Sequence, residues 1–185
     1  MDQRDLVQRA GAGDHDAFSS LVGASIARLE AVARLILRDQ ELAQDAVQEA
    51  YIRAWRDLPG LRDPEKFDAW LHRLTVHACL DAVRRRKRRP IEVELSPIMP
   101  PTIADQTGHI ADRDQLERGF RRLSADQRAV LVLHYYVGMS ASAVAETLDI
   151  PMGTAQSRLN RALAELRAAI AADDRQPAEP WTVIA

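Results

Sequence analysis

The sequence predicts an all-α protein: two small helical domains joined by a flexible linker. Three observations carry this. Apolar residues recur at spacings of three and four over residues 18–78 and again over 116–170, the pattern of helices with one buried stripe. No segment alternates apolar and polar residues with the period of two that marks a half-buried strand. Between the two blocks, Pro90, Pro97, Pro100 and Pro101 fall within a dozen residues, which forbids a continuous helix. The 185 residues suffice for one ordinary domain or two small ones. The expected division is 1–89, a linker over 90–111, 112–172, and a disordered tail over 173–185.

The elements follow in order. Phe18, Leu21, Val22, Ile26, Leu29, Val32, Ala33 and Ile36 form one stripe. Asp39 is an N-cap for the next helix, whose inner side carries Leu42, Ala46, Val47, Ala50, Tyr51, Ala54, Trp55 and Leu58. Pro59-Gly60 ends it. Asp63-Pro64 is a start signal, and Phe67, Trp70, Leu71, Leu74 and Ala78 then point inward. In the second block Leu116, Phe120 and Leu123 share a face. Ser124-Ala125-Asp126-Gln127 reads as a capping box. Val130, Leu131, His134 and Tyr135 continue that helix, and Gly138 closes it in a left-handed cap. Ser140 caps a short helix bearing Val144, Ala145 and Leu148. Residues 149–154 make a turn, and the last helix carries Ala155, Leu159, Ala162, Leu163, Leu166 and Ile170.

Composition narrows the function classes. The longest apolar runs are a few residues, too short for a membrane span of about 20. The N-terminus shows no secretory signal. A single cysteine, Cys79, excludes an intrachain disulfide and a thiolate-rich zinc site, so a cytoplasmic location is expected. The net charge of -2 hides an uneven distribution. Arg84-Arg85-Arg86-Lys87-Arg88-Arg89 is an unbroken cationic run, whereas residues 90–112 contain acids and no Lys or Arg. A basic block beside an acidic linker suggests a polyanion partner for one part of the chain. The linker's Ile91, Val93, Leu95, Ile98 and Met99 are each suited to docking on a partner. In the tail, Trp181, Val183 and Ile184 offer a weaker latch.

Three constellations could carry function. Two helices meeting at the tight corner around 149–154 make a helix-turn-helix, whose second helix enters the DNA major groove. Its outward residues Thr154, Gln156, Ser157, Arg158, Asn160 and Arg161 can hydrogen-bond bases or phosphates. The plain alternative is a helical hairpin with a polar solvent face. The cationic run, next to Trp70, Arg73, His77 and Asp81, suits unstacked bases as well as phosphates; alone it would read as a solvated helix end. The third is the outward face Asp45, Gln48, Glu49 and Arg53, a solvated surface or a dock for a basic protein groove. Enzyme readings lack support: His72 and His77 are five apart, and neither a phosphate loop nor a Ser/His/Asp set is present. No metal or other cofactor is expected, and Cys79 reads as a buried small hydrophobe.

Three blocks together resemble the extracytoplasmic-function (group 4) sigma factors of bacterial RNA polymerase. The run Asp45-Ala46-Val47-Gln48-Glu49-Ala50-Tyr51-Ile52-Arg53-Ala54-Trp55 is similar to the family's core-binding helix. Phe67-Asp68-Ala69-Trp70-Leu71 through Asp81 and Arg84-Arg85 resembles its promoter-melting and -10 segment. Leu123-Ser124 through Gln127-Arg128, then Gly153-Thr154-Ala155-Gln156-Ser157-Arg158-Leu159, resembles its -35 reading domain. The resemblance covers about residues 5–172.

It implies a mechanism. Asp45, Gln48, Glu49 and Arg53 would dock on the clamp coiled coil of the largest polymerase subunit, with the flap region as a further contact. Trp70, Arg73, His77, Asp81, Arg84 and Arg85 would meet the -10 element, open it and hold a flipped base. Thr154, Gln156, Ser157, Arg158, Asn160 and Arg161 would read the -35 element. The acidic linker would thread toward the polymerase active centre. The subunit itself would be non-catalytic. The implied partners are core RNA polymerase, promoter DNA and an anti-sigma factor; membrane insertion is not implied. Two departures stand out: His77 occupies a place where the family often has asparagine, and Gln156 one where Arg or Lys is frequent. An altered promoter preference is therefore expected. The competing readings are a stand-alone helix-turn-helix regulator and, behind it, a nucleic-acid hydrolase.

Overall fold

A computed structural model describes residues 2–88 and 110–173. The linker contacts expected of Ile91, Val93, Leu95, Ile98 and Met99, the last arginine of the cationic run and the tail latch lie outside these residues. Eight α-helices are present among the described residues, and no strand: α1 Gln3–Gly11, α2 His15–Leu37, α3 Gln40–Asp57, α4 Phe67–Arg88, α5 Ile110–Arg122, α6 Ala125–Leu131, α7 Ala141–Leu148 and α8 Met152–Asp173.

The helix boundaries are set by local chemistry. Asp39 caps α3 through Leu42 N–H at 3.1 Å. Ser124 and Gln127 form a complete capping box on α6. Ser140 caps α7 by accepting from Ala143 N–H at 3.2 Å. Gly138 lies at φ 84°, in the left-handed region that favours glycine. Four details differ from expectation. A separate α1 precedes α2, capped by Asp2. Asp63-Pro64 opens a 3-10 turn over Pro64–Lys66, and α4 starts at Phe67. The helix after Leu131 widens into π-type turns over Val132–Tyr136. The last helix begins inside the expected turn, because the Pro151 carbonyl already accepts the N–H groups of Thr154 and Ala155 at 2.9 and 3.0 Å.

Helices α2, α3 and α4 form the first bundle. The inner stripe of α3 is small: Ala43, Ala46, Ala50 and Ala54 are all essentially fully buried. Small residues let neighbouring helices approach closely, and Phe67, Leu29, Ile36 and Leu71 then fill the centre. Burying a side chain of that size is worth roughly 1.5–3 kcal/mol. Tyr51 Oη and Ser25 Oγ, 2.8 Å apart, tie α3 to α2. Helices α5 to α8 form the second bundle around Leu123, Val130, Leu133, Val144, Ala162 and Leu166. Ile26 and Leu116, both expected inside, are exposed. Periodicity puts them on an apolar stripe, but no neighbouring helix covers that part of it.

The two bundles pack against each other through α2 and α4 on one side and α6 and α7 on the other. This is why α4 is buried on more than one face: Leu71, His72, Thr75, Val76, Cys79 and Leu80 are all inside. Much of the remaining junction is polar. Arg128 donates to the Ile36 carbonyl at 2.6 Å, and also to the Leu123 and Phe120 carbonyls at 2.5 and 3.4 Å. Arg38, in a left-handed conformation at φ 57° that costs a non-glycine residue roughly 1–2 kcal/mol, pairs with Glu117 at 3.0 Å. Burial, and then the neighbouring charge of Arg38, pull the Arg128 guanidinium down to about 10, which still leaves it charged at neutral pH.

Candidate nucleic-acid interface

Helix α4 presents Trp70, Arg73, His77, Asp81 and Arg84 at spacings of three and four, so one face carries them all. Trp70 is half-buried, its ring 6.0 Å from that of Phe67. Arg73 is exposed. The His77 ring is engaged by the second bundle: Nε2 lies 3.0 Å from the carbonyl oxygen of Thr147 on α7. Sequence reading had no means of finding this contact, which joins residues 70 apart.

The polar ends of α3 and α4 are cross-linked. Glu49 accepts from Arg53, one turn on, and from Arg85 on α4 at 3.0 Å. Arg53 also reaches Asp81 at 3.7 Å, and Asp81 pairs with Arg84 at 3.1 Å. Arg86 reaches Asp39 at 3.2 Å. Residues assigned by sequence to two separate surfaces therefore form one charge network. Three successive arginines of the cationic run, expected to face nucleic acid, each have an acid of their own chain. Burial raises the Glu49 carboxyl, but hydrogen bonds and charge from Arg85 and Arg53 outweigh it, and the group sits below its ordinary value. Asp45 and Gln48 are exposed on the same side of α3.

Beside them runs an open groove of about 560 Å³ between α2 and α3, lined by Phe18, Ile26, Val47, Tyr51, Ile52 and Trp55 with Gln48 at its edge. Ile52 is 63% exposed. Sequence analysis placed Ile26 inside and gave Ile52 no role, so it missed this apolar extension of the α3 surface.

The start of α8 is different. Gln156, Ser157, Asn160 and Arg161 are exposed, and Thr154 is half-buried. Ser157 Oγ donates to the Thr154 carbonyl at 3.0 Å. Arg158 pairs with Asp126 at 3.7 Å. Helix α7 leads into α8 through Asp149, in the left-handed region at φ 55°, and Ile150 N–H returns to the Ala145 carbonyl at 3.0 Å. That closes the corner that a helix-turn-helix needs.

Comparison with known proteins decides the family. Sigma-70 region 2 matches residues 21–89 and Sigma-70 region 4 matches 113–166. The chain is 37% identical over 155 residues to the ECF RNA polymerase sigma factor SigM of Mycobacterium tuberculosis, covering 84% of this chain and 78% of that one. The chain is an extracytoplasmic-function sigma factor. It is 26% identical to SigW of Bacillus subtilis, across 87% of this chain and 92% of SigW. Among solved structures, CnrH in complex with the cytosolic domain of CnrY matches with a TM-score of 0.66 and 28% identity, covering 93% of this chain and 99% of that one. The sigma factor RpoE of Bartonella quintana, in complex with the anti-sigma factor NepR, shares the fold with a TM-score of 0.69, 23% identity and coverage of 84% and 98%.

As an alternative sigma factor the protein directs RNA polymerase in transcription initiation, and the stand-alone regulator is not favoured. Among the described residues no group of His, Cys, Asp and Glu could hold a metal, and no helix is long and apolar enough to cross a membrane. His72 is buried and its Nδ1 has no partner among the described residues; burial first, and then Arg28, lower its pKa to about 4. Cys79 is buried, with its thiol pushed up to about 12 by that burial.

Proposed function

We propose that residues 1–89 dock on core RNA polymerase and capture the -10 element, that residues 112–172 read the -35 element, and that 90–111 links them. The observation that carries this is the juxtaposition on α3 and α4. An exposed face with Asp45, Gln48 and Ile52 adjoins a face with Trp70, Arg73 and Arg84. The first suits a protein with basic and apolar contacts, and the second suits a distorted strand with a phosphate backbone. The exposed side chains at the start of α8 are of the kinds that read base edges and phosphates in a major groove.

In this reading the protein performs no chemistry. It supplies sequence choice and strand opening in the cytoplasm, and polymerase makes the bonds. Unstacking a base costs a few kcal/mol, which contacts to the opened strand must offset. His77 spends its Nε2 on the Thr147 carbonyl, so presenting that nitrogen to a flipped base requires α7 to move off α4. The relatives CnrH and RpoE were each solved with another protein bound, RpoE with an anti-sigma factor. A regulatory protein holding the two bundles of this chain together would act on the same junction.

The test is reconstitution with sigma-free bacterial core polymerase on a promoter library. Chain-dependent transcripts from promoters sharing two spaced elements are expected. Failure to bind cognate core, with tight duplex binding by the protein alone, would overturn the reading.

A further inference from the structure

We propose that Glu49 is a positioning residue that masks Arg85 from nucleic acid until a basic docking partner takes its carboxylate. This rests on the reading above, in which α3 docks on polymerase and the end of α4 meets DNA.

The geometry gives the reason. A carboxylate has two oxygens, and both are occupied here. Oε1 accepts from Arg53, and Oε2 accepts from Arg85 at 3.0 Å. Each oxygen keeps a second lone pair, so a docking cation that approaches Glu49 competes with both arginines for the carboxylate charge and loosens the one less firmly held. Arg53 sits one turn away on the same helix and has a second acid, Asp81, at 3.7 Å. Arg85 comes from another helix, and among the described residues Glu49 is the acid it pairs with. Arg53 is held on both sides and only 28% exposed, whereas Arg85 is 57% exposed and readily solvated, so Arg85 is the one released.

Both partners can be reached from solvent, with the Glu49 side chain 33% and the Arg85 side chain 57% exposed. Once released, Arg85 joins Arg84, Lys87 and Arg88 at the end of α4 and can meet a phosphate. Glu49 would thus couple two events that separate surfaces would leave independent: docking exposes charge for DNA. The pair is largely solvated, so the mask is weak, in the range measured for exposed ion pairs.

The probe is a fluorescent oligothymidylate strand, with full-length protein, read by anisotropy across a salt series. Glu49→Gln is expected to tighten binding at low salt by up to about fivefold, the upper end for an exposed pair. It should also steepen the dependence of log affinity on log salt by about 0.7, one further cation on a single strand. Arg85→Gln should abolish both effects of Glu49→Gln. Glu41→Gln removes the same charge from the same helix, at an exposed residue with no ion pair among those described, and should leave the slope unchanged. Equal slopes for wild type and Glu49→Gln would overturn the mask, as would equal steepening by Glu41→Gln or an effect that survives Arg85→Gln. No binding by any form would overturn the mask, because the freed Arg85 would then meet no phosphate. The reading of α4 itself is tested apart from this, by the chain-dependent transcription described above, so failure of the mask and failure of that reading are distinguishable.

Discussion

The face of α4 and the start of α8 carry the same kinds of side chain but are held in opposite ways. On α4, His77 is engaged by Thr147, Asp81 and Arg84 pair with each other, and Arg85 and Arg86 pair with acids of α3 and its cap. On α8, Gln156, Asn160 and Arg161 extend into solvent, and Arg158 alone of the proposed reading residues has an ion pair among the described residues. Similar residue types therefore do not mean similar readiness. In the proposed function this difference has a use: the surface that would open strands is tied down until polymerase docks, and the surface that would read duplex is not.

The largest effect tests how thoroughly α4 is enclosed. His72 has a folded pKa of about 4 against an ordinary 6.5. Its neutral form is therefore fully stabilising above pH 6.5, and that stability erodes as pH falls toward 4, because the unfolded chain takes the proton first. The loss should reach about 3 kcal/mol. Urea unfolding at a series of pH values should show this slope in wild type and a flatter one in His72→Leu.

The next tests the junction. Arg128→Met keeps the stem but removes the guanidinium from three carbonyls, of which Phe120 keeps the Leu123 N–H, and should cost about 2–3 kcal/mol. If the junction couples the bundles, the variant should also unfold in two separable steps in differential calorimetry.

Glu49→Lys should weaken core polymerase binding by about thirtyfold, one interface hot spot, while the melting temperature shifts little. A matched loss of melting temperature would place Glu49 in folding instead. The smallest effect belongs to α8. Arg161→Ala should cost roughly 1–2 kcal/mol in -35 binding, within the range for one contact. The loss should be the same with or without Glu49→Gln, since nothing in the α3–α4 network touches it. Gln156→Arg should move preference toward guanine at one -35 base in promoter selection.

Local chemistry was legible in the sequence. The caps at Asp39, Ser124 and Ser140, the left-handed Gly138 and the apolar stripes of α3 and α8 follow from residue type and spacing. The family was legible too, because three spaced blocks resembled one pattern. What sequence could not show is which stripe meets a neighbour, hence the misplacement of Ile26 and Leu116. It also could not show contacts between distant residues. The Arg128–Ile36 and His77–Thr147 bonds join positions 92 and 70 apart, and the Glu49–Arg85 pair 36 apart. Periodicity carries no information at those separations, so the acids paired with the basic run were not foreseen.

The central claim is that α7 covers α4 in the protein alone and leaves it when promoter DNA is engaged. Cys79 is buried with a raised thiol pKa, so labels can be placed at Ala69→Cys and Glu146→Cys, both exposed, without its interference. The most direct measurement is the distance between spin labels at these two sites, first in the protein alone and then in complex with core polymerase and promoter DNA. One short distance that lengthens in the complex is the predicted result. An unchanged distance in the transcribing complex would contradict the account.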